Sequence, residues 1–190
     1  MRILENAKNK FLSKINLFSA YKFAWILCST FTVLICYTFM YQLKRTQLVK
    51  TNMATCWDFF SSPHNLSKIT PPSMGFVVRT EVPEKMYEGL MIAYTVKPLL
   101  GIPMRWVTEI KTVRDNAFFV DEQRVGPYTI WHHEHHFKDL GHAVEMTDIV
   151  SYQLPLGFLG RIMHALVVKK KLETIFAYRF EVVEKLFNQH

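Results

Sequence analysis

Short runs of apolar residues, alternating with polar ones or continuous, follow one another along the middle of the chain and predict β-strands. Turn residues such as Pro83, Gly89, Gly126-Pro127 and Gly141 separate these runs. Connections this short imply that successive strands are antiparallel neighbours. The predicted strands are 41–49, 76–81, 90–97, 104–113, 117–124, 128–140 and 143–153.

Helical spacing interrupts this pattern after the first predicted strand and replaces it after the last one. Asn52 can cap a short helix over 53–61, and a second short helix is predicted over 65–69. Apolar residues then recur every three or four positions over 158–187 without a proline, which predicts one long amphipathic helix. The predicted fold class is therefore α+β: a curved antiparallel sheet of about seven strands wrapped around a long C-terminal helix, with a cavity between them.

The N-terminal segment is apolar and carries its own basic flank. From Phe23 to Leu43 there are 21 residues without a charge, enough to cross a bilayer, so an additional N-terminal helix over about 23–41 is a candidate transmembrane helix. Met40 stands directly before the first predicted strand. Translation from Met40 would give a cytoplasmic protein, and an upstream start would give a single N-terminal span. The predicted units are an extension over 1–40 and a ligand-binding domain over 41–187.

Composition narrows the possible partners. The chain of 190 residues has a net charge of +7, and its first 40 residues hold five basic residues against one acidic residue. The remaining domain has no basic run interleaved with aromatic residues, so no nucleic-acid partner is predicted. The three cysteines show no CxxC spacing and no even framework, which predicts free thiols.

The segment GPYTIWHHEHHF, from Gly126 to Phe137, predicts a turn followed by a strand with an unusual inner face. Side chains alternate between the two faces of a strand, so Trp131, His133, His135 and Phe137 share one face. Two imidazoles between two large aromatic side chains are typical of the wall of a half-polar cavity. The opposite, outer face is predicted to carry His132, Glu134 and His136.

Asp148 is the one charged residue on an otherwise apolar face of the last strand. A carboxylate there needs a partner, and His133 or His135 on the preceding strand is the nearest candidate. Such an Asp–His pair can orient a polar group of a ligand or act as a general acid and base. It can equally serve only to hold two strands in register.

The His-x-His spacing of His133 and His135 can also ligate zinc when a third ligand is available. Candidates on neighbouring strands are Glu109, Glu122 and Asp148. Because no complete set is evident from the spacing, neither a metal nor another cofactor is predicted.

Other cavity residues follow from the same alternation. Strand 104–113 directs either Trp106 inward as an apolar wall or Arg105 inward as a clamp for a carboxylate, and the pattern does not decide between them. Tyr94 and Tyr128 can offer hydroxyl groups, and the start of the long helix is expected to close the cavity. The predicted ligand-binding residues are Trp131, His133, His135, Phe137, Asp148, Tyr152, Tyr94, Trp106, Met163, Leu166 and Val167.

Four motifs occur in a characteristic order. They are WDFFSSPHNLSKITPP (57–72), GIPMRWVTEI (101–110), FVDEQRVGPYTIWHHEHHF (119–137) and DIVSYQLPLGFLGRI (148–162). Together they resemble the bacterial ligand-binding SRPBCC subgroup, also called polyketide cyclase/dehydrase-like. That subgroup belongs to the START-like, birch-pollen-allergen-like superfamily. The resemblance covers about 41–186 and implies a helix-grip fold with a cavity, but no single reaction.

The predicted function is to bind a small hydrophobic or amphipathic ligand, such as a lipid, an isoprenoid or a polyketide-like molecule, without catalysis. The alternative is a cyclase or dehydratase that uses His133, His135 and Asp148 as acid and base. A third possibility is an interaction domain whose cavity is filled by its own side chains.

Overall fold

The protein, represented by a computed structural model, is described over residues 40–98 and 101–188. One helix, α1 (Met53–Phe60), follows the first strand, and seven strands form a single antiparallel sheet in the order β1-β7-β6-β5-β4-β3-β2. This confirms the predicted α+β class. The strands are β1 (Tyr41–Val49), β2 (Val77–Val78), β3 (Met91–Val96), β4 (Met104–Arg114), β5 (Phe118–Val125), β6 (Ile130–Asp139) and β7 (Val144–Gln153).

A long helical segment follows β7, as the apolar spacing predicts. It consists of α2 (Gly157–Met163), a π-helical turn (His164–Val168), α3 (Lys169–Val183) and a second π-helical turn (Glu184–Asn188). We refer to these four parts together as the C-terminal helix. Gly160 has to be a glycine, because a Cβ atom there would overlap the carbonyl oxygen of Pro155. The chain can therefore reverse sharply between the sheet and the helix.

Strand register decides which side chains meet on the inner face of the sheet. Asp121 on β5 lies directly opposite His133 on β6, and His135 on β6 lies directly opposite Asp148 on β7. Directly opposed residues of an antiparallel pair point to the same face. Two carboxylates and two imidazoles are thereby brought to one face of three adjacent strands.

Two apolar clusters hold the C-terminal helix against this face. One joins α1 to the sheet and includes Trp57, whose ring packs edge-on against Phe137 with 5.4 Å between centroids, and Val183 of the helix. The other combines Leu172 and Phe176 of the helix with strand residues of β1 and β7. The C-terminal helix is therefore packed against the sheet at two places along its length.

The second short helix predicted over 65–69 is replaced by 3₁₀ turns at Pro63–Asn65 and Pro72–Met74. The amide of Leu66 bonds to the carbonyl oxygen of Pro63, which is the tighter 3₁₀ pattern. Pro71 and Pro72 then lack the N–H donors that an α-helix would need. The proline spacing therefore leaves room for turns only.

Strand β2 is much shorter than the predicted 76–81. The amide of Ala93 on the neighbouring strand bonds to the side-chain hydroxyl of Thr80 at 3.2 Å, in place of a backbone carbonyl. The backbone ladder at this sheet edge therefore ends within a few residues.

Residues 23–39 of the predicted apolar helix lie outside the described residues, and Tyr41 is the first residue of β1. Within residues 40–98 and 101–188, the helices are all too short or too polar to cross a membrane.

Replacing Val183 by alanine should lower the free energy of unfolding by about 2 kcal/mol, because this fully buried side chain anchors the C-terminal helix. Val182→Ala is the matched control, since Val182 is only half-buried on the same turn and should cost clearly less. Urea unfolding followed by circular dichroism measures both. Equal losses for the two variants would contradict the packing of the helix described above.

Candidate functional site

A cavity of about 210 Å³ lies between the inner face of the sheet and the C-terminal helix. Leu172, Ile175 and Phe176 contribute its helical side. The sheet side is largely aromatic, with a small polar area around two histidines. A mostly apolar cavity with a few polar groups at one place is the usual form of a small-molecule site.

Aromatic rings from three strands and one loop make up the apolar wall. Trp106 and Trp131 pack edge-to-face with 5.3 Å between centroids, and Tyr128 lies 4.8 Å from Trp131. Thr108 satisfies two polar tips of this wall: its hydroxyl accepts from Trp106 Nε1 at 3.1 Å and bonds to the Tyr94 hydroxyl at 2.8 Å. Because these polar atoms already have partners, the rings are free to present apolar faces to a ligand.

Five charged or titratable side chains form the polar end of the site, which we call the polar cluster: Asp121, His133, His135, Asp148 and Arg179. His133 contacts Asp121 through Nδ1 at 3.4 Å and Asp148 through Nε2 at 3.2 Å. His135 contacts Asp121 through Nε2 at 3.0 Å and Asp148 through Nδ1 at 2.7 Å. Arg179 on the C-terminal helix places Nη2 3.6 Å from Asp148. Each imidazole is therefore held between two carboxylates.

Burial and charge act in opposite directions on these groups. Burial raises the pKa of Asp148, but the Arg179 charge and the histidine hydrogen bonds outweigh it and leave that pKa well below the usual range. Burial likewise raises the pKa of Asp121, and His133 and His135 lower it further than burial raises it. Both carboxyl groups are therefore ionised despite their position in the interior.

The pKa values of the two histidines are shifted in opposite directions. Burial lowers the pKa of His133, but the charge of Asp121 and bonds to both carboxylates raise it above its ordinary value. Burial and the neighbouring charge of His133 lower the pKa of His135 below its ordinary value. A protonated His133 together with Arg179 would balance the two carboxylates, as a buried group of charges requires.

Five of the residues predicted to bind a ligand line the cavity, and the structure shows which face of β4 points inward. Trp106 points inward, while Arg105 is exposed on the outer face. Asp148 contacts both histidines from behind and borders a neighbouring depression that it shares with Arg179. The predicted residues that line the cavity are Tyr94, Trp106, Trp131, His133 and His135.

Two predicted residues are buried elsewhere. Phe137 packs into the apolar cluster around Trp57 and does not reach the cavity. Tyr152 is buried under the start of the C-terminal helix, where its hydroxyl bonds to His164 Nε2 at 2.9 Å. Both side chains lie on the inner face of the sheet, as predicted, but this face extends beyond the cavity at each end.

The structure does not place Met163, Leu166 and Val167 over the cavity. Leu166 is 72% exposed, and the cavity is instead closed by residues from Lys171 onward. The three residues lie before or within the π-helical turn His164–Val168, whereas the helix residues that line the cavity all follow this turn. Met163 instead borders a separate depression beside Leu154 and Pro155.

Of the three candidates for a third metal ligand, Glu109 and Glu122 are turned away from His133 and His135, whereas Asp148 contacts both. Glu109 pairs with Arg124, and Glu122 pairs with His132 at 3.0 Å, both on the outer face. The predicted outer position of His132, Glu134 and His136 agrees with this arrangement.

Sequence reasoning missed Asp121 and Arg179, although each follows from a periodicity. Asp121 stands two residues from buried Phe119 on β5, which places it on the inner face. Arg179 falls between Phe176 and Val183 within the buried stripe of the helix, three and four residues away. A charge inside an apolar stripe is the signal that identifies a buried ionic partner.

Comparison by sequence finds no known protein family and no curated protein that matches the chain. Comparison of folds finds several solved structures. The protein TTHA0849 from Thermus thermophilus is 13% identical, with 76% of this chain and 95% of that chain covered at a TM-score of 0.59. Major latex-like protein 151 from Panax ginseng is 13% identical, with 78% and 98% covered at 0.57.

A third similar structure is a point mutant of norcoclaurine synthase from Thalictrum, solved with a transition-state analogue. It is 14% identical, with 78% of this chain and 97% of that chain covered at a TM-score of 0.58. Identities this low establish the fold and leave the activity open. The chain therefore shares its fold with these structures, in agreement with the helix-grip fold predicted from its sequence motifs.

Proposed function

We propose that this protein binds a small, mostly apolar molecule in the cavity between the sheet and the C-terminal helix. The observation that carries the proposal is the division of the cavity into an aromatic wall and a polar cluster. An apolar body can be buried against Trp106 and Trp131, while a polar group is oriented by His133 and Asp121. The binding affinity then comes from burial of the ligand's apolar surface, and the polar cluster fixes the orientation of the ligand in the cavity.

The size of the cavity limits the ligand. An apolar cavity of about 150 Å³ accommodates one benzene ring, and this cavity measures about 210 Å³. A fused bicyclic aromatic, a short isoprenoid or one short acyl chain matches that space. A complete phospholipid does not, unless the helix moves away from the sheet.

Filling the cavity should abolish binding without unfolding the protein. Ile175→Trp places a large side chain on the cavity side of the helix, and we expect at least about a tenfold loss of affinity for 2-naphthol as a bicyclic probe. Titration calorimetry measures the affinity. Thr174→Trp is the matched control, because Thr174 is exposed on the adjacent helix position and should leave binding unchanged.

A wild-type protein that does not bind 2-naphthol, or an Ile175→Trp variant that binds it as well as the wild type does, would contradict a ligand site at this position. Circular dichroism of the variant at the same temperature shows whether the fold is retained.

Catalysis is the second candidate function, and the position of His133 is the observation that favours it. Its imidazole lies between two carboxylates in the cavity wall, which is an arrangement suited to moving a proton on a bound carbonyl compound. The resemblance to cyclase/dehydrase-like proteins and the fold shared with norcoclaurine synthase are consistent with such chemistry.

A proton-exchange measurement separates the two functions. A binding protein should leave the exchange of the α-protons of 2-tetralone in D₂O at the background rate, whereas an acid–base catalyst should accelerate it. NMR follows the exchange. If acceleration is seen, His133→Ala should remove it almost entirely, while His132→Ala on the outer face of the same strand should preserve it. For a binding protein, His133→Ala should weaken 2-naphthol binding only modestly.

A further inference from the structure

The four ring nitrogens of His133 and His135 face two different carboxylates. One set, His133 Nδ1 and His135 Nε2, faces the same oxygen of Asp121 at 3.4 and 3.0 Å. The other set, His133 Nε2 and His135 Nδ1, faces one oxygen of Asp148 at 3.2 and 2.7 Å. One carboxylate therefore lies in front of both rings, at the cavity wall, and the other lies behind both rings.

Only two of these four contacts have hydrogen-bond geometry, His133 Nε2 to Asp148 and His135 Nε2 to Asp121. A neutral imidazole has one N–H and one lone pair, so a ring that donates through Nε2 carries its lone pair on Nδ1. The Nδ1 lone pair of His135 accepts from Arg179 Nη2 at 3.3 Å. The Nδ1 lone pair of His133 faces the Asp121 oxygen at 3.4 Å, which is repulsive unless a cation lies between them.

We propose that Asp121, His133 and His135 bind a divalent transition-metal ion such as Zn²⁺. The ion accepts the lone pairs of His133 Nδ1 and His135 Nε2 together with an oxygen of Asp121. The N–H on His133 Nε2 then donates to Asp148. With the ion on Nε2, His135 carries its proton on Nδ1, which lies 2.7 Å from the same Asp148 oxygen and no longer accepts from Arg179. Both rings can therefore stay neutral. A carboxylate behind the ligating histidines fixes their tautomers in many metal sites.

The three candidate ligand atoms are already close, all within 4.8 Å of one another. Two imidazole nitrogens and one carboxylate oxygen suit Zn²⁺, Fe²⁺ or Co²⁺, whereas Mg²⁺ and Ca²⁺ prefer sets made of oxygen. Arg179 does not compete for the ion, because its guanidinium lies beside Asp148 and His135 Nδ1, at 3.6 and 3.3 Å. It offsets the charge of the rear carboxylate instead.

Three protein ligands leave at least one coordination position open, and a catalytic or ligand-binding zinc site has this form. All three residues line the cavity, so the open position faces the ligand space. With the ion bound, the polar cluster has a net charge of about +1, which favours a ligand that carries a carboxylate, phenolate or enolate oxygen. This preference rests on the proposed ligand site, whereas metal binding itself does not.

The test is a metal titration of the full-length protein after dialysis against a chelator, without any hydrophobic ligand. We expect one Zn²⁺ per chain in competition with a chromophoric chelator, and visible d–d absorption on replacement by Co²⁺. Asp121→Asn and His135→Gln should weaken zinc binding more than about 100-fold. Asp148→Asn, which removes only the support behind the rings, should weaken it about 10- to 100-fold.

The control is the double variant His132→Ala/His136→Ala, which removes two histidines from the outer face of the same strand. It should bind zinc as the wild type does. The proposal is overturned if wild-type protein binds no stoichiometric zinc and shows no Co²⁺ absorption, whatever the variants do. It is also overturned if folded Asp121→Asn protein retains wild-type affinity. Because no apolar ligand is present, neither result depends on whether 2-naphthol binds.

Discussion

The need to neutralise charge in an apolar interior is the constraint on which this structure depends. The register of β5, β6 and β7 places Asp121 and Asp148 on the same buried face as His133 and His135. An isolated buried carboxylate would cost several kcal/mol, so each of these groups requires the others. Arg179 completes the balance from the C-terminal helix, and the position of the helix is thereby linked electrostatically to the sheet.

Stability alone does not account for such a cluster. Replacing a buried ionic group by apolar side chains of similar volume is often neutral or stabilising, whereas removing one partner from it is costly. The neighbouring part of the interior is filled by apolar side chains instead, with Trp57 packed edge to face against Phe119 and Phe137. The same sheet thus contains an apolar core at one end and a charged one beside the cavity. The polar cluster is best understood through what it can bind.

The architecture was predictable because it follows from local patterns. Period-two alternation and turn residues placed six of the seven strands within about two residues of their ends, and helical spacing found the C-terminal helix. The inward direction of Trp131, His133 and His135 followed from the same alternation. Asp148 was identified because a charge on an apolar strand face needs a partner, and the structure supplies two.

The features that the sequence did not reveal depend on where along the C-terminal helix the cavity begins and on contacts between residues that are far apart in the sequence. Met163, Leu166 and Val167 miss the cavity because its helical side begins only at Lys171, after the π-helical turn His164–Val168, and no residue type marks that position. Asp121 escaped notice because its neighbour Glu122 is equally acidic, although the alternation from buried Phe119 places Asp121 rather than Glu122 on the inner face. Arg179 lies 31 residues beyond Asp148 in the sequence, so only the closure of the helix over the sheet brings them together. Tertiary pairing therefore brings Asp121 and Arg179 to the polar cluster, whereas the strand pattern alone places His133, His135 and Asp148 on the inner face.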